Sequence, residues 1–427
     1  MTSGLLVILF FAFLIIGIPF AFSIILSCGA FLSITGFKPL VLIGQRLVTG
    51  MDSFPLLAVP LFILAGNLMD KGGISRRLVN WADYLVGRMT GGIGMVAVVS
   101  CMIFAALTGS GPATVAAIGS LLLPTMIRRG YKSRDAAGLV AAAGALGPII
   151  PPSIPMIIYG VSMNVPITKM FMGGIGVGLL IGGCLMIVNY FYAKKNKISV
   201  EGTEFSLKGF LKATWNALGA LLLPLIILGG IYGGVFTPTE AAAVAVMYSL
   251  ILGGLLYKEI KLSEMPKMLI ESTKTSAMVI FIIGAANILQ WLLSATGLPS
   301  AVAAAAIKVV TSKITYLLLL NVILFIAGAL IDTIAAIIIL GPILVPIGLS
   351  LGLDPLHMGV LFVVNLVIGY VTPPFGYNLF TATSISGEPF SEVVKGVLPF
   401  LLVEVICVLI ISFVPEIVTW LPSVLLK

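Results

Sequence analysis

Long apolar segments separated by short polar ones run along almost the whole chain. A helix needs about 20 apolar residues to cross the hydrocarbon core of a bilayer, so the uninterrupted apolar segments predict transmembrane helices. These candidate spans are 3–17, 20–36, 54–69, 172–193, 214–234, 239–257, 276–293 and 397–424. No Lys or Arg precedes the first of them, which favours a membrane span over a cleaved signal peptide. The pattern predicts an all-α polytopic membrane protein.

Two further apolar regions, 95–163 and 315–386, are interrupted repeatedly by Gly, Pro and Ser. Each region predicts a helical hairpin followed by a broken helix. The hairpins are 95–127 and 315–348, with polar tips TGSGPAT (108–114) and ALIDTIA (329–335). The broken helices are 133–163 and 355–386, interrupted at GPIIPPS (147–153) and GYVTPPF (369–375). Irregular backbone is tolerated in a bilayer only where it is buried in protein or lines a wet cavity, so these regions are the candidate functional ones.

The two interrupted regions are copies of one another. Pairs of residues at a constant offset of 222 continue without a gap: Ser110 and Asp332, Gly119 and Gly341, Pro124 and Pro346, Gly130 and Gly352, Gly147 and Gly369, Pro151 and Pro373, Pro152 and Pro374, Ser162 and Ser384. We therefore divide the chain into two related halves, 1–196 and 214–427, joined by a polar linker at 197–213.

The two halves differ in the charges that follow their hairpins. The first hairpin is followed by a basic cluster at 128–134, whereas the corresponding segment of the second half contains Asp354 and His357 but no Lys or Arg. Because Lys and Arg concentrate on the cytoplasmic side, the hairpins are predicted to be re-entrant from opposite sides, as in an inverted-topology repeat. The same assignment of sides places the linker in the cytoplasm. It leaves six basic residues outside, namely Lys38, Arg46, Lys169, Lys308, Lys313 and Lys427.

The composition agrees with a protein embedded in lipid. Hydrophobic residues make up 59% of the 427 residues. Charged residues make up only 9%, against about 25% in soluble domains. So few charges cannot cover a water-soluble globule of this size, which excludes a soluble enzyme and a disordered scaffold. The net charge is +8, but the basic residues lie between apolar runs without an aromatic-studded basic face, so no nucleic-acid partner is expected.

The interruptions provide groups that bind ions. Proline removes a backbone donor and disrupts the helix before it, so GPIIPPS and GYVTPPF free carbonyl oxygens. Free carbonyls suit Na⁺, and exposed helix N-termini suit a substrate carboxylate. The predicted Na⁺ ligands are Ser110, Gly147, Ile150 and Pro152 in the first half, and Asp332, Thr333, Gly369, Thr372 and Pro374 in the second. Ser153, Tyr159 and Asn378 are predicted to face substrate between the tips.

Three acidic residues in the apolar regions have different interpretations. Asp332 is predicted to bind a cation, because a charged side chain within a bilayer is costly and usually functional. It also suits the N-cap of a helix that begins near Thr333, and a proton-binding role stays open. Glu240 follows Thr237 with capping-box spacing, which favours a structural role. Glu404 has no evident partner in the sequence, so it pairs with another helix or faces another subunit.

Duplicated, discontinuous helices are typical of secondary transporters, and motifs of other classes are missing from the sequence. There is no GxxxxGK[ST] motif, no Arg-rich voltage sensor and no TVGYG filter. With one histidine and four widely spaced cysteines, a His/Cys metal site, a disulfide framework and enzymatic activity are not expected. The alternatives that stay open are a stand-alone Na⁺- or H⁺-coupled carboxylate carrier, a channel and, least favoured, a membrane-embedded enzyme.

Three segments resemble the large membrane (M) subunit of tripartite ATP-independent periplasmic (TRAP) transporters. They are FTPTEAAAVAV (236–246), TGSGPATVAAIGSLLLPTM (108–126) and GALGPIIPPSIPMIIYG (144–160). The likeness covers essentially the whole chain. The resemblance implies a multi-pass protein of the bacterial cytoplasmic (inner) membrane. It also implies import of an organic acid, such as sialic acid or a C4-dicarboxylate, with Na⁺ as the coupling ion.

The resemblance further implies partners and a mode of movement. The expected partners are a separate small four-helix membrane subunit and a periplasmic substrate-binding protein that delivers the organic acid. The family resembles elevator-type transporters of the ion-transporter superfamily. By that resemblance, a transport domain of 95–163 and 315–386 slides against a scaffold made of the remaining spans, including 172–257 and 397–424.

Overall fold

The computed structural model describes residues 2–198, 202, 206–297 and 312–425, and every regular element within these ranges is a helix. Outside the described residues lie Lys308, Lys427 and part of the predicted linker (199–201 and 203–205). The first half comprises α1 (Thr2–Ile15), α2 (Phe20–Thr35), α3 (Val41–Met51), α4 (Ala58–Lys71), α5 (Ile74–Val86), α6 (Gly92–Thr108), α7 (Gly111–Arg128), α8 (Ser133–Gly144), α9 (Ile154–Met163) and α10 (Ile167–Lys195).

The second half comprises α11 (Leu207–Tyr232), α12 (Pro238–Leu250), α13 (Met265–Ala295), α14 (Lys313–Leu330), α15 (Thr333–Ser350), α16 (Pro355–Ile368), α17 (Tyr377–Ser386), α18 (Phe390–Phe413) and α19 (Glu416–Leu425). Short 3₁₀ turns occupy Phe54–Leu57 and Gly369–Val371, and a π turn at Ile251–Leu256 extends α12. The hairpins predicted from the sequence are the pairs α6–α7 and α14–α15.

Eight helical segments of the described chain are long and apolar enough to cross a membrane. They are Phe54–Lys71, Ile167–Lys195, Leu207–Tyr232, Pro238–Leu256, Met265–Ala295, Lys313–Leu330, Thr333–Ser350 and Phe390–Phe413. The all-helical membrane fold predicted from the apolar pattern is therefore confirmed. The predicted single span 397–424 is wrong, because the chain leaves the helix at Val414 and resumes as α19. Pro415 explains the break, since a proline disfavours helical backbone at the residue before it.

The helix boundaries of the two halves follow the same offset as the sequence. Helix α7 begins and ends 222 residues before α15, and α8 begins 222 residues before α16. Cis peptide bonds precede Pro152 and Pro374, which are also 222 residues apart. The opposite orientation of the two copies in a bilayer stays a prediction.

The helices pack as two groups. The hairpin group consists of α6–α10 and α14–α19, and the outer group consists of α1–α4 and α11–α13. Helix α5 packs against both, on α6 of the hairpin group and on α11 of the outer group. Helices α10 and α18, from the predicted scaffold spans 172–193 and 397–424, pack on the hairpins and broken helices. The division into a moving transport domain and a scaffold stays a prediction.

Glycines explain why α18 belongs with the hairpin group. Gly138 in α8 lies directly against the backbone of Gly396 in α18, with no room for a side chain at either position. At the start of both helices, Arg134 Nη1 donates a hydrogen bond to Glu392 Oε2 at 3.0 Å. Backbone contact over this length leaves the two helices no freedom to slide, so they form one unit.

We expect Gly138→Val to lower the stability of the purified protein by about 1–3 kcal/mol, because the added methyl groups overlap the backbone of α18. Gly183→Val in α10 is the matched control, since a Cβ atom there has nothing within 4 Å. Thermal unfolding in detergent measures both variants. Equal melting temperatures would contradict the tight α8–α18 packing.

Candidate functional site

Backbone groups of the first hairpin tip and the first helix break lie in direct contact. A Cβ atom added to Gly147 would lie 2.5 Å from the carbonyl oxygen of Ser110. One added to Gly109 would lie 2.6 Å from the carbonyl oxygen of Pro152. Gly109 also has a φ of +61°, which L-residues with side chains rarely adopt. Glycine at these two positions therefore brings tip and break together.

The second hairpin and the second break make a similar backbone contact. Gly369, which begins the break, lies directly against the carbonyl group of Gly328 in α14. A Cβ atom on Gly328 would lie 2.5 Å from the carbonyl oxygen of Leu366. Within the break, Thr372 Oγ1 donates a hydrogen bond to the carbonyl oxygen of Ile368 at 2.9 Å. Each break is thus packed on the hairpin of its own half.

Asp332 lies at the second tip and caps α15. Its Oδ2 atom accepts hydrogen bonds from the backbone N–H groups of Ile334 at 2.9 Å and Ala335 at 3.4 Å. The predicted N-cap role is therefore confirmed. Tyr370 and Tyr377 lie close enough to this carboxylate to interact with it electrostatically, and their rings pack edge to face with centroids 5.4 Å apart.

The structure brings several of the predicted Na⁺ ligands together. At the first tip, Gly147 lies against the Ser110 carbonyl and the Pro152 carbonyl lies against Gly109; Ile150, whose carbonyl is the predicted ligand, packs its side chain on Gly178 of α10. In the second half, Asp332, Thr333, Gly369 and Thr372 belong to the tip and to the break packed on its hairpin, while Pro374 is exposed. Ion binding at either place stays a prediction.

A cavity of about 530 Å³ lies between the tips and the outer group. The first tip contributes residues 108–113, and the second contributes Asp332. Asn67 of α4 and Thr275 of α13 line the opposite wall. Among the described residues that line it, Asp332 is the only one with a charged side chain. The cavity therefore lies at the boundary between the two helix groups.

The three residues predicted to face substrate do not line this cavity. Ser153 is fully buried, donates a hydrogen bond to the carbonyl oxygen of Pro148 and caps α9. Tyr159 is fully buried and packs against Phe362, with ring centroids 5.6 Å apart.

Asn378 is also fully buried. Its Nδ2 atom donates a hydrogen bond to the carbonyl oxygen of Ala141 in α8 at 3.0 Å. Its side chain also lies against Gly111 of the first tip, because a Cβ atom on that glycine would be 2.7 Å from Asn378 Oδ1. Asn378 thus joins the broken helix of the second half to the hairpin of the first.

Ser110 and Asp332 were predicted and line the cavity, but three other polar residues that line it, Tyr370, Asn67 and Thr275, were missed by sequence reasoning. Tyr370 belongs to the GYVTPPF segment, so its place in a helix break was a usable signal. Asn67 and Thr275 are single polar residues in or beside apolar spans, and the sequence does not indicate which face of the helix they occupy. Asn67 is held in place because its Nδ2 atom donates a hydrogen bond to Ser272 Oγ at 2.7 Å.

The two glutamates singled out from the sequence have different surroundings. Glu240 forms the predicted capping box: its side chain accepts a hydrogen bond from the Thr237 backbone at 2.8 Å, and its own N–H is bonded to Thr237 Oγ1. Glu404 is fully buried in α18. Neither of its carboxylate oxygens has a hydrogen-bond partner in the part of the chain that the structure describes. The predicted partner on another helix is thus not found among those residues.

Membrane-length helices, duplicated hairpins and a cavity bounded by two hairpin tips define a polytopic membrane protein built like a secondary transporter. The family model for the DctM component of tripartite ATP-independent periplasmic transporters matches residues 7–417. The chain therefore belongs to this family, as its motifs predicted. It is a multi-pass protein of the inner membrane, in a family of transporter permeases.

Several relatives that are similar to this chain in sequence are named for different substrates. The isethionate TRAP transporter permease DctMQ of Oleidesulfovibrio alaskensis is 45% identical over 96% of this chain, which spans only 64% of that protein. The C4-dicarboxylate large permease DctM of Pseudomonas aeruginosa is 42% identical over 88% of both chains. The sialic acid large permease SiaM of Vibrio cholerae is 36% identical over 96% of both.

A solved structure shares the fold. The YdaH transporter of Alcanivorax borkumensis aligns with a TM-score of 0.62 over 88% of each chain. The two sequences are only 14% identical, so the likeness concerns the fold alone.

We expect Gly147→Ala to reduce substrate uptake about 10- to 100-fold, because the new methyl group displaces the first tip from the break and misplaces the site. Gly229→Ala in α11 is the control, since a Cβ atom there has nothing within 4 Å. Initial uptake rates in proteoliposomes, normalised to the amount of folded protein, measure the effect. Normal uptake by Gly147→Ala would show that the contact between tip and break is not needed.

Proposed function

We propose that this chain is the large permease subunit of a Na⁺-driven TRAP transporter that imports an organic acid by an elevator movement. The observation that carries the proposal is the pairing of Asp332 with an uncapped helix N-terminus across one cavity. At the second tip, Asp332 accepts hydrogen bonds from the first N–H groups of α15. At the first tip, no side chain of the described residues caps α7, whose first residues line the cavity.

This arrangement supports different ligands at the two tips. An uncapped helix N-terminus offers free N–H groups and a positive dipole, which suit a carboxylate or sulfonate. An organic anion in the same cavity would be repelled by Asp332 unless a cation neutralised that carboxylate. Na⁺ bound beside Asp332 removes the repulsion, so ion and substrate bind with a favourable coupling free energy. A second Na⁺ is proposed at the carbonyl cluster of Ser110, Gly147 and Pro152.

The proposed substrate class follows from the cavity and from the relatives. The relatives are named for isethionate, C4-dicarboxylates and sialic acid, all of which are organic acids. A cavity of about 530 Å³ accommodates molecules of this size. We propose an organic acid with at least one fully ionised group as the substrate, with sialic acid and C4-dicarboxylates as the first candidates.

The proposed partners are those of a tripartite system. A small four-helix membrane subunit is proposed to pack beside the outer group in the bilayer. A periplasmic substrate-binding protein is proposed to release the organic acid into the cavity.

The grouping of the helices supports an elevator movement. The hairpin group would carry the site, and the outer group would stay fixed, with the cavity at their boundary. Helix α5 is bound to the outer group, because Arg77 pairs with Glu259 at 2.7 Å and Trp81 Nε1 donates a hydrogen bond to Thr214 Oγ1 at 3.1 Å. It also contacts α6 and α7 of the hairpin group. It therefore suits the role of a hinged connector.

Uptake into proteoliposomes tests the proposal. Radiolabelled sialic acid and succinate are presented to this chain and its small partner subunit, with and without the cognate binding protein, under an inward Na⁺ or H⁺ gradient. We expect uptake to require both the Na⁺ gradient and the binding protein. Uptake of free substrate without the binding protein would support the alternative, a stand-alone Na⁺- or H⁺-coupled carboxylate carrier.

We expect Asp332→Asn to abolish Na⁺-dependent stabilisation and uptake, because an amide keeps the helix cap but loses the charge that attracts the ion. Asp332→Ala is expected to lose the cap as well and to be less stable by about 1 kcal/mol.

Asp354 provides the matched control, since it caps α16 by accepting a hydrogen bond from the His357 backbone at 2.8 Å and does not line the cavity. Melting temperatures of Asp332→Asn and Asp354→Asn are compared across a Na⁺ titration, with choline as the replacement ion. A normal Na⁺ response in Asp332→Asn would contradict the assignment.

A further inference from the structure

A second polar pocket lies on the boundary between the helix groups and shares none of its lining residues with the cavity at the tips. It measures about 390 Å³. Arg46 of α3 and Asn287, Gln290 and Ser294 of α13 form the wall on the side of the outer group. On the side of the hairpin group, the pocket is lined by the end of α9, including Ser162, and by α15. Both groups are needed to complete it.

Arg46 is the only charged residue among the described residues that line this pocket. It has no acidic partner within the described residues, and its guanidinium lies over the ring of Trp291 at 5.2 Å from the centroid. This cation–π contact holds the side chain in place without neutralising its charge. Asn287 lines the same pocket with its amide side chain.

We propose that this pocket binds the anionic group of the organic acid before the substrate reaches the cavity between the tips. The inference rests on the proposed function. The cavity between the tips has no cationic side chain among its described lining residues, whereas this pocket has an unpaired one with amide and hydroxyl groups around it. A guanidinium and neighbouring amides are well suited to a carboxylate or sulfonate.

The position and shape of the pocket fit an entry site for a small molecule. Arg46 is among the basic residues that the positive-inside pattern places outside, on the side from which substrate arrives. A concave pocket of this volume matches a small organic acid better than a flat protein surface. Because its walls belong to both helix groups, movement of the hairpin group would open the pocket and release the anion.

The test introduces a cysteine by Ser294→Cys, because Ser294 is exposed and lines the pocket. Of the native cysteines, Cys28, Cys101 and Cys407 are buried, so only Cys184 is replaced by alanine. The full chain, with its small partner subunit, is labelled with an anionic sulfonatoethyl methanethiosulfonate and with the neutral methyl reagent. Labelling is done in choline buffer without Na⁺, where the proposed function predicts an empty site between the tips.

We expect Arg46→Gln to lower the rate of labelling by the anionic reagent about 3- to 5-fold, because one nearby positive charge is lost. The rate of labelling by the neutral reagent should not change. Excess succinate should slow anionic labelling when Arg46 is present and have no effect in Arg46→Gln. Lys38→Gln is the matched control: Lys38 is also predicted outside and lies over a ring, that of Phe37, at 5.7 Å, but it does not line the pocket. It should behave like the unmodified protein.

Uptake gives an independent measurement. Arg46→Gln should raise the KM for succinate about fivefold and leave the maximal rate unchanged, because entry is weakened and the moving site is intact. Equal protection by succinate in Arg46→Gln would overturn the proposal. Protection by the binding protein but not by succinate would also overturn it and assign the pocket to protein contact. The labelling needs neither Na⁺ nor transport, so its failure is distinguishable from failure of the proposed function.

Discussion

Close backbone contact between each hairpin and its own helix break is the constraint on which the rest of the structure depends. Irregular backbone at membrane depth needs protein around it, because no water is present to satisfy its polar groups. Gly147 and Gly369 meet this need at equivalent positions, against Ser110 in one half and Gly328 in the other. Small residues at these contacts allow the breaks to be packed instead of exposed to lipid. The tips are thereby fixed on either side of one cavity.

The cavity combines one carboxylate with one uncapped helix end, so the two tips differ in charge. The offset that relates the halves aligns Ser110 with Asp332, so the duplicated fold provides equivalent positions with different chemistry. In the first half, the helix dipole is left free for an anion. In the second half, Asp332 satisfies the helix end and is the proposed ligand of Na⁺. In the proposed function, substrate and ion would therefore be coupled through charge at a short distance.

Much of the fold could be predicted from the sequence, but less of the site. Gly and Pro positions fix helix ends locally, so helices end at GPIIPPS and GYVTPPF as the sequence indicates, and the Thr237–Glu240 cap was predicted correctly. The grouping of α10 and α18 with the hairpins depends on long-range contacts such as Gly138 with Gly396, which leave no local signal. The same reason applies to Ser153 and Tyr159. They lie close to a break in sequence, yet three-dimensional packing turns them away from the cavity.

The proposed movement of the hairpin group against the outer group during transport is tested most directly by a reversible cross-link. A Cβ atom added to Gly66 in α4 would lie 3.6 Å from the Cβ of Thr108 at the first tip. This matches the separation of about 3.5–4.5 Å found in disulfides. The account predicts that oxidising the Gly66→Cys, Thr108→Cys variant abolishes uptake, that reduction restores it, and that neither single variant responds to the oxidant. Undiminished uptake by the fully cross-linked protein would contradict the account.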